Sequence, residues 1–176
     1  MASGDTLIVF TALANEPPAT NFATVDLRNS HLVLDFDNTT AESAVFGAVL
    51  PRHYAGGGIT VTLLWMAGGA ALLGDLMTPT PLATGNVKWN AQFERHQVAT
   101  DDLDADSFAA AQTVTSAAPS TDGALQSTSI PFTNGAQMDS LAVGESFRIK
   151  VIRDAADGAD TMTGDAELLR IELRET

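Results

Sequence analysis

Cysteine is absent from this chain of 176 residues. Without thiols the protein has no disulfide framework, no thiolate zinc site and no cysteine nucleophile. A chain of this length is able to bury a single hydrophobic core. The sequence therefore predicts one domain of ordinary size, and the missing cysteines are compatible with synthesis in the cytosol.

Positive charge is scarce, since 9 Lys and Arg residues stand against 22 Asp and Glu residues, for a formal net charge of -13. A surface of this sign repels the phosphates of nucleic acids and the headgroups of anionic membranes. The hydrophobic fraction of 45% and the charged fraction of 18% are typical of a folded globular chain. We therefore expect neither a nucleic-acid partner nor a membrane partner.

A long uninterrupted hydrophobic run is also missing near the N-terminus. The apolar stretch there follows the acidic Asp5, no basic residue precedes it, and the polar Thr11 and Asn15 interrupt it. This pattern predicts neither a signal peptide nor a membrane span.

What the sequence does contain is strict alternation of apolar and other residues in five segments. A period of two is typical of half-buried antiparallel strands, in which every second side chain faces the core. Weaker strand signals, rich in Thr, Val and Ser, lie in residues 42–50, 111–119 and 124–132. The residues predicted to face inward are Leu32, Leu34 and Phe36, then Ile59, Val61, Leu63 and Trp65, then Val87, Trp89, Ala91 and Phe93, then Phe147, Ile149 and Val151, and finally Leu169, Ile171 and Leu173.

Clusters of Gly, Pro, Asn, Asp and Ser separate these segments and predict turns or loops. Long helices are not indicated, although residues 106–112 and 136–144 each favour one helical turn. Short strands without interleaved helices predict an all-β sandwich or barrel. Eight strands in two sheets is the count of a jelly roll, so we predict an antiparallel eight-stranded β-sandwich of the jelly-roll type. The predicted turns and loops are residues 38–42, 53–58, 74–85, 119–123, 133–137 and 154–165.

Residues 1–29 differ from the rest, because Pro17 and Pro18 exclude a central strand or a helix interior there. We interpret residues 1–29 as an extended N-terminal arm and residues 30–176 as the jelly-roll domain. The arm contains one apolar strand, Leu7–Leu13. Such a strand is expected to pair either with the edge of its own sheet or with a neighbouring subunit.

Motifs for catalysis or cofactor binding are not evident. The glycine run Gly56–Gly58 lacks a following GK[ST] and leads into a strand, so it indicates a strand connection and not a phosphate loop. His31, His53 and His96 form no metal-binding pattern, and no G-x-S-x-G elbow is present. We therefore predict no catalytic, cofactor-binding or metal-binding residue, and no enzyme.

Two acidic loops are the strongest candidates for a site. Oxygen-rich loops bind Ca²⁺, so residues 101–106 and 154–167 are weak candidates for calcium. The first loop lacks the EF-hand pattern, because Ser107 and Thr113 stand where Gly and Glu are required. Solvent-exposed loops are the favoured interpretation of such charge runs. The acids are Asp101, Asp102, Asp104 and Asp106 in one loop, and Asp154, Asp157, Asp160, Asp165 and Glu167 in the other.

Three aromatic residues, Trp65, Trp89 and Phe93, are large enough to form a sugar-stacking platform. Their alternate positions in strong strands favour the core instead, because large aromatics dominate buried packing.

The chain carries a series of segments whose order and character run through nearly its whole length: "PPATNFATVDLRNSHLVLDFD", "LPRHYAGGGITVTLLWM", "GNVKWNAQFER", "DADSFAAAQ", "IPFTNGAQMDSLAVGESFRIKVIRDA" and "GDAELLRIELRET". This series resembles a group of small virion proteins of tailed bacteriophages. The likeness rests on general sequence character and contains no motif whose functional residues transfer to this chain.

The resemblance implies a structural virion protein made in the host cytoplasm. Its expected role is that of a capsid decoration, or cement, protein on the capsid surface. It would form a homotrimer, bind the major capsid protein or other virion subunits, and stabilise the assembled head. The alternative is a carbohydrate- or receptor-binding β-sandwich module of a tail fibre or tail tip. A third possibility, a depolymerase, requires two carboxylates about 5 to 9.5 Å apart across a groove.

Overall fold

The computed structural model describes residues 4–68, 83–121 and 123–176; most of the predicted loop at 74–85 and Asp122 of the predicted turn at 119–123 lie outside them. In this part of the chain, no helix is both long and apolar enough to span a bilayer. The described residues form ten strands and two short 3-10 turns, Ala12–Ala14 and Ala136–Met138. The strands are β1 (Thr6–Thr11), β2 (Thr24–Arg28), β3 (His31–Phe36), β4 (Glu42–Val49), β5 (Ile59–Ala67), β6 (Asn86–His96), β7 (Gln112–Ala117), β8 (Gln126–Phe132), β9 (Ser146–Arg153) and β10 (Ala166–Glu175).

The strands form two antiparallel sheets. The six-stranded sheet has the order β2-β3-β10-β5-β8, with β1 also paired to β10, and the four-stranded sheet has the order β4-β9-β6-β7. Successive strands from β3 to β10 therefore alternate between the two sheets, except that β6 and β7 are neighbours in the same sheet, which is the arrangement of a jelly roll. The predicted β-sandwich is confirmed, but the described strands number ten and not eight. The two further strands, β1 and β2, both lie in residues 1–29.

The core lies between the sheets and is built by the predicted alternation. All inward-facing residues predicted for β5, β6 and β9 are fully buried. Their large side chains pack edge to face, with ring centroids 5.8 Å apart for Trp65 and Trp89 and 5.2 Å apart for Phe36 and Trp89. Of the two predicted helical turns, one forms within 136–144 as Ala136–Met138, whereas residues 106–111 have no helix and Gln112 begins β7.

One inward position was predicted wrongly, in the last strand. The register between β10 and β5 shifts between Leu168 and Arg170, which marks a β-bulge. A bulge adds one residue to a strand and reverses the direction of the side chains that precede it. Consequently Leu168 is buried and Leu169 is only partly buried, while Ile171 remains inward as predicted.

Residues 4–29 line one side of the sandwich and pair with their own chain. Strand β1 runs antiparallel to β10 and buries Phe10 in the core. The chain then crosses to the other sheet, where the N–H of Glu16 donates to the carbonyl of Val45 (2.7 Å) and the N–H of Ala23 donates to that of Ser43 (3.0 Å). It returns to the first sheet as β2. The arm therefore covers the edge of β4, which would otherwise present unpaired backbone groups.

A tight hairpin joins β2 to β3. Its two loop residues, Asn29 and Ser30, both have positive φ (46° and 66°), as a type I′ turn requires. In such a hairpin Arg28 and His31 share the closing pair of hydrogen bonds, so the N–H of Leu27 points away from β3. The side chain of Asp26 accepts a hydrogen bond from this N–H at 2.6 Å. The outer edge of β2 is thus partly blocked.

The glycine run before β5 is a strand connection that requires glycine for two separate reasons. Gly56 has a φ of 91°, which residues other than glycine rarely adopt. At Gly58 a Cβ atom would lie 2.5 Å from the carbonyl oxygen of Phe132, so the close approach of β5 and β8 excludes a side chain. The hydroxyl of Tyr54 closes the loop by donating to the carbonyl of Gly57.

Candidate functional site

The acidic loop after β9 is held by a buried arginine. Arg153 follows the inward alternation of β9 and is fully buried. Its Nε and Nη2 donate to the two carboxylate oxygens of Asp160, at 3.1 and 3.0 Å. The remaining donors reach the carbonyls of Phe36 (3.1 Å), Gly164 (2.9 Å) and Met162 (3.2 Å). All five guanidinium N–H groups are therefore satisfied, as a buried arginine requires.

Other acids of this loop also bind neighbouring strands. Asp157 forms an ion pair with Lys88 (2.9 Å), and Asp154 accepts a hydrogen bond from Asn90 (3.2 Å). Asp165 accepts one from the backbone of Asn38 (3.0 Å). The interpretation of this loop as solvent-exposed is therefore wrong for Asp160, whose charge is buried against Arg153. These carboxylates bind the loop to the sandwich.

The acidic loop at 101–106 has a different character, because its four aspartates are exposed. Asp106 contacts Arg148 at 2.9 Å, and Arg148 also binds the buried Glu94 through its Nε at 2.8 Å. Within residues 4–68, 83–121 and 123–176, no three His, Asp or Glu side chains are arranged to hold a metal ion.

The three histidines lie far apart in the fold. His31 begins β3, where its Nδ1 lies 3.0 Å from the carbonyl of Asn29. His53 is exposed in the turn after β4, and His96 ends β6 beside Ser146. Among the described residues, the structure therefore does not bring any two of the three histidines together.

Trp65, Trp89 and Phe93 belong to the core, as their alternation predicted. All three are fully buried, and the indole N–H of Trp65 donates to the hydroxyl of Thr128 at 2.9 Å. The sugar-stacking alternative for these three residues is therefore wrong, because none of their rings reaches the surface.

A cluster of carboxylates at the junction of β3 and β10 was not predicted. Asp35 lies directly opposite Glu167 in the antiparallel register. Arg28 donates to both oxygens of Glu167 at 3.0 Å, whereas Oδ1 of Asp35 is buried without a hydrogen-bond partner among the described residues. Burial, followed by the charges of Asp165 and Glu167 and then of Asp26 and Glu42, raises the pKa of Asp35 to about 7.

This pKa makes the stability of the protein depend on pH. The unfolded chain loses the Asp35 proton near pH 4, whereas the folded chain holds it to about pH 7. The free energy of unfolding contributed by this group therefore falls as pH rises between these values. Asp35→Asn is expected to raise stability at pH 8 by about 1–2 kcal/mol, less than the full shift implies because the carboxyl is partly solvated. Urea unfolding at pH 4 and pH 8 measures the difference.

Asp37→Asn provides the matched control on the same strand end. Hydrogen bonds from Thr39, first its hydroxyl and then its backbone N–H, lower the pKa of Asp37 despite some burial. This carboxylate stabilises the fold above its ordinary pKa, and the contribution disappears as pH falls. Asp37→Asn is therefore expected to destabilise at pH 8. An Asp35→Asn protein whose pH dependence equals that of the wild type would contradict the assignment.

Exposed apolar side chains are concentrated in the arm. Five of the ten large hydrophobic residues that are exposed in the described part of the chain lie in residues 1–29. Four of them belong to the segment that crosses the side of the sandwich and to β2, namely Leu13 (73% exposed), Phe22 (41%), Val25 and Leu27. We call the surface formed by these four residues the arm face.

The arm face contains a groove of about 350 Å³ between the 3-10 turn and β2. We call it the arm groove. Leu13, Phe22 and Val25 line it together with Pro17, and no charged side chain does so. Leu27 lies two residues beyond Val25 on the same side of β2 and pairs with Leu32 across the hairpin. Contiguous apolar surface of this kind marks a contact site for another molecule.

Sequence reasoning expected the arm to pair with a sheet edge or a neighbouring subunit, but it did not name the residues of the arm face. Phe22, Val25 and Leu27 occur singly among polar residues, without a long apolar run to mark them. The apolar side chains of β2 extend beyond the edge of the core, which only the crossing path of the arm reveals.

No family model matches the chain, and no curated protein matches its sequence. Solved structures match the chain at low identity. The xylan-binding domain CBM22-2 of a Paenibacillus barcinonensis protein is 12% identical over 93% of this chain and 92% of that one, with a TM-score of 0.48. An isomalto-dextranase of Arthrobacter globiformis is 11% identical over 89% of this chain and 24% of its own, with a TM-score of 0.43. A Stig cyclase of Fischerella sp. is 11% identical over 99% of this chain and 100% of that one, with a TM-score of 0.42.

Likenesses of this degree carry no information on ligand or activity. The strand order defines the class of the protein, an antiparallel β-sandwich of the jelly-roll type. Its exposed apolar arm face is compatible with a module that serves binding or structure.

Proposed function

We propose that this chain is a structural virion protein of a tailed bacteriophage, and specifically a capsid decoration protein that binds and stabilises the assembled head. It self-associates as a homotrimer on the capsid surface and performs no catalysis. The observation that carries the proposal is the arm face, which concentrates exposed apolar side chains on one side of a compact sandwich. The resemblance of the sequence to small virion proteins supports the same role.

In this role the arm face contacts the shell. Burial of a fully exposed leucine or phenylalanine side chain contributes about 1.5–3 kcal/mol. Leu13 is 73% exposed and Phe22 is 41% exposed, so covering both contributes a part of that amount to the affinity for the shell. The acidic remainder of the surface keeps the protein soluble and reduces its attachment to nucleic acid. Capsid decoration thus requires only a rigid sandwich and the arm face as its contact surface.

The test is co-sedimentation of the purified protein with DNA-filled heads of the encoding phage that have been stripped of it. Saturable binding to heads is expected. The double variant Leu13→Ser, Phe22→Ser is expected to bind at least tenfold more weakly, because the apolar area that the shell would cover is lost.

The matched control is Val98→Ser, Leu103→Ser, which removes two apolar side chains that are more exposed as a pair (93% and 69%) from the loop after β6. This control is expected to bind heads like the wild type. Thermal unfolding and light scattering establish that each variant remains folded and trimeric. Failure of the wild type to bind heads, or binding to tails alone, would overturn the proposal.

A further inference from the structure

A depression lies in the six-stranded sheet at the point where β10 changes partners. On the side away from β5, β10 pairs with β3 as far as Leu168 and with β1 from Arg170 onward. Leu169 lies between, at the β-bulge, and pairs with none of the three neighbouring strands. The end of β1, the 3-10 turn after it, the β2–β3 hairpin and the bulge enclose about 310 Å³. We call this depression the bulge pocket; its volume is at the small end of the range for small-molecule sites.

The bulge pocket offers positive charge on a chain of net charge -13. Arg170 lines it, and no acidic side chain of the described residues does. The two acids nearest to Arg170 along β10 are engaged elsewhere, since Glu167 binds Arg28 and Glu172 accepts a hydrogen bond from the hydroxyl of Thr6. Arg170 itself is exposed and forms no hydrogen bond or ion pair with the described residues. Its planar fork of donors is therefore available to a carboxylate.

The other polar groups of the bulge pocket match hydroxyl groups. His31 lines the pocket, and its Nδ1 lies 3.0 Å from the carbonyl of Asn29. Because a carbonyl only accepts, Nδ1 carries the proton, and Nε2 of the neutral ring is an acceptor. Thr11 and Ser30 also line the pocket, and their hydroxyls have no hydrogen-bond partner among the described residues. A ligand that carries hydroxyls beside its carboxylate satisfies these groups, whereas a bare anion meets an acceptor at Nε2.

We propose that the bulge pocket binds a hydroxy acid of monosaccharide size with a single negative charge, such as a uronic acid. Arg170 binds the carboxylate, and the hydroxyls of the ligand bind Ser30 and Nε2 of His31. Leu32 and Leu169, which also line the pocket, contact the apolar C–H groups of the sugar ring. The strongly negative chain favours one charge on the ligand over the two of a phosphate dianion. This inference goes beyond the proposed function and does not depend on it.

Titration of the full chain with glucuronate, glucose, acetate and phosphate at constant ionic strength, followed by amide NMR spectra, tests the inference. Glucuronate is expected to shift the resonances of Ser30, Leu169 and Arg170. It is expected to bind at least tenfold more tightly than glucose, which lacks the carboxylate, and than acetate, which lacks the hydroxyls. Phosphate is expected to bind more weakly than glucuronate. If acetate or phosphate binds as tightly as glucuronate, the pocket takes anions without regard to hydroxyls, and the inference is wrong.

Variants separate the pocket from general charge attraction. Arg170→Gln is expected to weaken glucuronate binding at least tenfold and to abolish its preference over glucose. Arg174→Gln is the matched control, because Arg174 is an exposed arginine four residues along the same strand that does not line the pocket, and it is expected to change nothing.

Ser30→Gly removes a hydroxyl at a φ of 66°, which glycine adopts readily, and is expected to weaken glucuronate binding about threefold. Thermal unfolding establishes that each variant is folded. Equal losses of glucuronate binding in Arg170→Gln and Arg174→Gln would show that only general positive charge attracts the ligand, and would overturn the inference.

Discussion

Replacing Arg153 by alanine is expected to lower the free energy of unfolding by about 3–5 kcal/mol. The substitution leaves Asp160, which is as buried as Arg153, without its cation. It also removes the hydrogen bonds to the carbonyls of Phe36, Met162 and Gly164, which tie β3 and the loop before β10 to β9. A buried carboxylate without a partner is among the most costly defects in a protein core.

Guanidinium chloride unfolding followed by tryptophan fluorescence measures this loss, since Trp65 and Trp89 are both in the core. Arg174→Ala is the control, because Arg174 is an exposed arginine on β10, the next strand along the chain, and its loss is expected to cost less than about 0.5 kcal/mol. Restoring charge balance by Arg153→Met, Asp160→Leu is expected to recover much of the stability. If Arg153→Ala is as stable as Arg174→Ala, the buried network does not hold the loop.

Phe10→Ala is expected to destabilise the protein by about 3–5 kcal/mol, although residue 10 lies in the arm. The Phe10 ring is buried, and its centroid lies 5.3 Å from that of Phe46 on the opposite sheet. Removing the ring leaves a cavity between β1 and β4 that the two sheets cannot close. Thermal or denaturant unfolding measures the loss.

Val9→Ala on the same strand is the control, because Val9 is half exposed on the outer side and its loss is expected to cost under about 1 kcal/mol. A Phe10→Ala protein of wild-type stability would mean that β1 does not seal the core. The burial of Phe10 also makes deletion of residues 1–29 a poor test of assembly. Such a deletion would remove part of the core together with the arm face, so surface substitutions at Leu13 and Phe22 are the cleaner probes.

The alternating strands could be predicted because their signal is local. In β5, β6 and β9 every second residue is apolar, and a pleated strand that packs on one face requires that period. The turns between them could be predicted for the same reason, since Gly, Asn and Asp impose backbone geometry by themselves. The weaker strand signal of residues 42–50 was also sufficient, because β4 forms there, between the strongly alternating strands β3 and β5.

The buried ion pair and the bulge could not be predicted in this way. Arg153 occupies an inward position that the alternation of Phe147, Ile149 and Val151 assigns to an apolar residue. Its burial is possible only because a loop seven residues further on brings Asp160 over it. The prediction that Leu169 faces inward was wrong for a comparable reason. A single extra residue in β10 reverses the direction in which the side chains before it point, and no feature of the composition indicates it.

Composition and local periodicity alone establish an acidic, cysteine-free, all-β chain with a single core, because these properties depend on residue types and on neighbours along the chain. The β-sandwich that these properties predict is confirmed, with ten described strands in place of eight. The arm face and the raised pKa of Asp35 follow instead from contacts between distant segments. Residues 12–25 become a groove only when the arm crosses from β10 to β4 and back, and Asp35 meets Glu167 only when β3 pairs with β10. The raised pKa of Asp35 and the apolar groove of the arm both depend on these long-range pairings, which no local sequence pattern encodes.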